Sequence, residues 1–212
     1  MSNLSDLTSI INLTIKDHNL KLQLNNWIAS MRDVPKRYFI VNAFDEIVAF
    51  LGLILGIYFG GFLSARILLT SIVNAGIAMC ISGFTAAFLT EEAEVARILD
   101  NVKPKLIVFK TTLLRRIEYT CRIHILKSGI ASGFAALLSS FLVAFPYLLA
   151  IENIISIIDA FTSSIIIVIV LLFILGLILG RIARGRELKY CLVTTMAGLA
   201  TGFLCMLLSF IE

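Results

Sequence analysis

The sequence predicts an all-α integral membrane protein with five transmembrane helices, its N-terminus cytoplasmic and its C-terminus outside. Three observations carry that prediction. Of 212 residues, 59% are hydrophobic and 15% charged, and the mean hydropathy is +0.97, whereas soluble domains run near roughly 45–50% apolar and 25% charged. Five apolar stretches, about 38–60, 67–89, 128–151, 162–180 and 190–211, have the length that helices need to cross about 30 Å of hydrocarbon. Barrel strands would be half as long and alternating. Finally, every basic residue except Arg66 falls before the first stretch, between the second and third stretches, or between the fourth and fifth. By the positive-inside rule these are the cytoplasmic segments.

Two domains follow, an amphipathic arm at 1–35 and a transmembrane domain at 36–212 with a cytoplasmic loop at 90–127. The arm opens without a basic region or early apolar run, so no signal peptide is expected. Its Leu4, Leu7, Ile10, Ile11, Leu20, Leu24, Trp27 and Ile28 recur at helical spacing among Lys16, Asp17 and Lys21. Such a helix either lies in the membrane interface or packs on the rest of the protein. In the spans, Gly52, Gly56 and Gly60, then Gly129 and Gly133, Gly176 and Gly180, and Gly198 and Gly202 are each four residues apart. Small residues at that spacing let helix backbones approach closely, which supports a compact bundle and a homodimer. The late loop, Leu106 to Leu126, mixes Arg115, Arg116, Arg122 and His124 with aliphatic residues, as in a helix returning along an anionic lipid surface.

Several function classes are excluded. The net charge of +4 is accounted for by orientation-setting loops and does not call for nucleic acid. Four scattered cysteines form no zinc or disulfide framework, and His18 and His124 stand alone. No phosphate-binding lysine loop, nucleophile elbow or dinucleotide fingerprint is present, so the chain is not read as an enzyme.

A charged side chain inside a span costs on the order of 3 kcal/mol, which makes Asp45 and Glu46 the residues to explain. Helical steps from Asp45 reach Ala49, Gly52, Gly56 and Gly60, a small-residue face expected to point at other helices. Glu46 shares its side with Phe50, Leu53 and Ile57 and is expected to snorkel to the interface. Asn42, three residues before Asp45, adds an oxygen on the same side. In the second span Met79 and Cys80 both lie on small-residue faces. A soft sulfur opposite a hard carboxylate is a ligand set for a borderline ion such as Fe²⁺. Beyond it, Glu91 and Glu94 share a helical face and either capture a metal ion on the cytoplasmic side or simply pair with Arg97.

Asn42-Ala43-Phe44-Asp45-Glu46-Ile47-Val48 followed by Leu51-Gly52-Leu53-Ile54-Leu55-Gly56 resembles the first helix of the vacuolar iron transporter family. Ala75 to Gly83 is similar to its second helix, Ser128 to Leu149 to its third, and Gly180-Arg181-Ile182-Ala183-Arg184-Gly185 with the last span to its end. The resemblance covers about residues 36–212. It implies movement of ferrous iron, and often manganese, out of the cytoplasm in exchange for protons. It further implies a dimer in which Asp45 and a sulfur at Cys80 or Met79 line the path, with the metal as substrate and no cofactor. Three departures stand out. Glu46 replaces a glycine, Phe84 stands where the family has a glutamate, and the loop is too short for the Glu-rich metal-binding domain.

The expected mechanism is antiport. Desolvation favours a protonated acid and a bound cation favours the carboxylate, so one site that alternates between proton and metal couples their flows. In a prokaryote the membrane would be the cell membrane and the transport an export. The alternative is a non-transporting scaffold or accessory subunit, in which the glycine faces only pack and Asp45 pairs with Lys36 or Arg37.

Overall fold

The computed structural model describes residues 8–9, 11–13, 18–106, 111–182, 185 and 187–209. Leu4, Leu7, Ile10, Lys16 and Asp17 of the arm lie outside them, as do Arg184 and Arg186. The elements are α1 (His18–Met31), α2 (Val34–Phe59), α3 (Ala65–Leu106), α4 (Thr111–Ile151), α5 (Ile157–Ile182) and α6 (Glu187–Ser209). Among the described residues there is no strand. Five helical stretches are long and apolar enough to cross a membrane, within His18–Phe59, Ala65–Asn101, Leu114–Ile151, Ile157–Ile182 and Glu187–Leu207. The fold is the all-α architecture of a multi-pass membrane protein, and large apolar side chains such as Ile81, Phe134, Phe141 and Phe203 turn outward. In water such exposure would be a liability, whereas lipid tails are as apolar as these side chains.

The breaks between helices have local causes. At the end of α2 the Phe62 amide donates to the Ile57 carbonyl at 3.2 Å, with Gly61 at φ 75°. This is a Schellman stop, whose left-handed residue favours glycine. The end of α4 repeats it with Ile154 donating to Leu149 at 3.0 Å and Asn153 at φ 57°. Ser156 then caps α5, accepting from the Asp159 amide at 3.1 Å and donating to the Asp159 carboxylate at 2.7 Å.

The chain divides into two compact units, residues 1–39 with 82–132, and residues 40–81 with 133–212. In the first, Leu20, Leu24, Ile28 and Met31 of α1 are buried with Val95 and Leu99 of α3 and Ile117, Cys121 and Ile125 of α4. The arm is thus the packed helix of the two alternatives. One expectation changes as well. The segment 90–127 is helical over its described residues, with α3 running on to Leu106 and α4 starting at Thr111. The stretch expected to lie on lipid has its apolar face on protein: Ile117, Cys121 and Ile125 recur at helical spacing and need cover, and α1 supplies it. Leu24 is 1% exposed, so Leu24→Ala is expected to destabilise this unit by about 2–5 kcal/mol. Hydrogen exchange of amides 18–31 would accelerate; unchanged protection would contradict the packing.

In the second unit the tightest approach is between α5 and α6. A Cβ at Gly176 would stand 2.5 Å from Thr194 Oγ1 and 2.6 Å from the Cys191 Cα, and one at Gly180 would collide with the backbone of Glu187. The close approach lets Thr194 Oγ1 donate to the Leu172 carbonyl across the pair at 3.0 Å. Gly176→Ala should therefore cost about 1–3 kcal/mol, because backbone cannot retreat as a flexible side-chain tip can. It would be read as a lower Tm in detergent, and an unchanged Tm would refute it.

Candidate functional site

The site is built on α2. Its bulky residues Ile40, Ala43, Ile47, Phe50 and Ile54 form the buried face, since large apolar groups gain most dispersion contact on packing. Glu46 lies on that face. It is 5% exposed, and its Oε2 atom is buried without a hydrogen-bond partner. The expectation that Glu46 snorkels outward is therefore corrected.

Asp45 has the opposite setting. It is exposed, as are Ala49, Gly56 and Gly60 along the same face. A Cβ at Gly56 would meet nothing within 4 Å, while one at Gly52 would reach only the Cys205 Sγ at 3.8 Å. The small-residue face was expected to turn toward other helices, and within the single chain it does so only at Gly52. Small side chains bury little area, so the bulky face took the interior and left the glycine face open.

The second span reaches the same unit through Gly76. A Cβ there would come within 3.8 Å of the Phe50 ring and would overlap Ser140 of α4. Along their helices Glu46 lies one turn back from Phe50 and Cys80 one turn on from Gly76. Cys80, Met79 and Asn42 are each half-buried. The fold thus gathers Asn42, Asp45, Glu46, Met79 and Cys80 into one unit, with the two acids on different sides of α2 and Glu46 on the packed side.

Glu91 and Glu94 belong to the other unit. Glu94 pairs with Arg97 at 2.9 Å, and the Tyr38 hydroxyl hydrogen-bonds Glu91 and Thr90. For Glu94 this is the pairing with Arg97 that the second alternative names. Lys36, one of the cations considered for Asp45, is joined to Asp33 at 3.2 Å. Phe84 packs against the next span: its ring lies 3.0 Å from where a Gly129 Cβ would be. Among the described residues, no three His, Cys, Asp or Glu side chains form a group that could hold a metal ion.

Sequence reasoning singled out both acids and assigned their sides by the glycines. The better signal was the bulk periodicity Ile40, Ala43, Ile47, Phe50, Ile54, which brackets Glu46. Ser140, which seats Gly76, and Tyr38, which holds Glu91, carried no recognisable sequence signal. No model of a known protein family matches this chain, and no curated protein matches it.

Proposed function

We propose that this protein moves a divalent metal ion, Fe²⁺ and also Mn²⁺, out of the cytoplasm in exchange for protons, as the resemblance to vacuolar iron transporters suggests. The observation that carries the proposal is the Glu46 carboxylate, buried in a membrane-spanning helix with one oxygen unpartnered. An acid in that position costs stability, and a purely structural scaffold has no use for it. A metal ion or a proton supplies the missing partner. Burial favours the protonated form and a bound cation the ionised one, so exchange of the two at one carboxylate gives antiport.

In this reading Glu46 and a sulfur of Cys80 or Met79 form the inner half of the path. Asp45, with Asn42 nearby, supplies an acid on the open glycine face, where a second copy of the chain would complete it. Metal uptake into proteoliposomes under an opposing proton gradient tests the proposal. Uptake should track the gradient and collapse when an ionophore dissipates it; uptake indifferent to the gradient would refute exchange, and no uptake at all would favour the scaffold.

A further inference from the structure

The first unit contains an open cavity of about 830 Å³, lined by Trp27, Arg37, Tyr38, Leu89, Glu91 and Arg97 among others. Its position along the helices is informative. Tyr38 begins the apolar stretch of α2 and Leu89 ends that of α3, so the cavity lies at the boundary where hydrocarbon gives way to headgroups. Trp27 and Tyr38 are the amphipathic aromatics that favour this boundary. Its charges are arranged in an unusual way. Arg97 is already held by Glu94 at 2.9 Å, and Glu91 accepts a neutral hydrogen bond from Tyr38. Among the residues that line the cavity this leaves one guanidinium, Arg37, without an ion-pair partner, and one carboxylate, Glu91, with acceptor capacity to spare.

We propose that this cavity binds the headgroup of a zwitterionic aminophospholipid, with Arg37 on the phosphate and Glu91 on the ammonium. The complement is specific. An anionic lipid would bring its phosphate to Arg37 but would have no cation for Glu91, and would also face Glu94. A choline lipid carries the positive charge but lacks the N–H donors that a carboxylate binds best. The inference is independent of metal transport, since none of these residues takes part in the path proposed above.

Trp27 is the only tryptophan of the chain, so it reports on the cavity by itself. The protein would be placed in mixed micelles or nanodiscs, and its fluorescence followed while brominated phosphatidylethanolamine, phosphatidylcholine or phosphatidylglycerol is added. The ethanolamine lipid is expected to quench at about threefold lower mole fraction than the other two, the size of effect that a partly exposed ion pair supports. Arg37→Gln and Glu91→Gln should each abolish this preference. Both leave the fold intact, because Arg37 is exposed and a glutamine still accepts the Tyr38 hydrogen bond. Equal quenching by all three lipids in the unmodified protein would overturn the proposal. So would a preference for phosphatidylglycerol, which would mean simple anionic attraction, or an ethanolamine preference that survives both substitutions.

Discussion

Glu46→Gln is expected to reduce proton-driven uptake of Fe²⁺ or Mn²⁺ into proteoliposomes by roughly ten- to a hundredfold. The size follows from removing one charged ligand, worth about 1.5–3 kcal/mol for a charge-assisted contact, where each 1.4 kcal/mol is about tenfold. Glutamine keeps the shape and the burial, so the variant should fold as well as the parent, or better, since it no longer places an acid with an unpartnered oxygen in the core. That combination of lost transport with retained or raised Tm separates a functional acid from a structural one. Asp45→Asn should also lower uptake by about tenfold on the same reasoning, because it removes the acid that the open face presents. Wild-type uptake in Glu46→Gln would remove Glu46 from the path, and wild-type uptake in both variants would remove the transport assignment altogether.

The second large effect concerns the open face of α2. Gly56→Leu is expected to convert a dimer in detergent into a monomer, read by light scattering, while leaving the Tm of the chain nearly unchanged. A new side chain at Gly56 meets nothing within 4 Å in the single chain, so the chain itself has no reason to object. A second copy approaching through Asp45, Ala49 and Gly56 would, because small-residue contacts depend on close backbone approach. The contrast with Gly176 is internal: there the clash is within the chain, and stability falls without a change of assembly. A dimer unaffected by Gly56→Leu would mean that copies meet elsewhere, and a monomeric parent protein would dispose of the dimer.

Both predictions depend on which side of α2 is packed, and that is where the sequence was ambiguous. Asp45 and Glu46 are adjacent, so the helix necessarily sends them about 100° apart, and either could have faced inward. Glycine spacing argued for Asp45, since glycine faces often pack. Bulk argued for Glu46, since Phe50, Ile47 and Ile54 gain more from contact. In the single chain the bulky face is the buried one. A reading of close approach by itself cannot say whether the approaching helix belongs to the same chain or another.

The arm shows a second form of the same ambiguity. Leu20, Leu24 and Ile28 at helical spacing announce an amphipathic helix, but apolar surface is satisfied equally by lipid or by protein. The tie is broken by Val95, Leu99, Ile117, Cys121 and Ile125, more than sixty residues away in sequence, whose own apolar stripes also need cover. The Arg97–Glu94 pair at 2.9 Å joins neighbouring turns of one helix and was legible in advance. The Tyr38 bond to Glu91 joins α2 to α3 and was not.

By itself, then, the sequence determined the class of protein, the number of its long apolar helices, and the two acids that need an explanation. These depend on length, composition and local geometry, which each segment carries alone. Only the tertiary structure decided that the arm rests on protein, that the Ile117–Ile125 stripe is covered by it, and that Glu46 turns inward while Asp45 faces out. Each of those is a choice of partner between surfaces of nearly equal apolarity. A segment can state that it has a face to bury, but what buries it is settled by the competing faces of the rest of the chain.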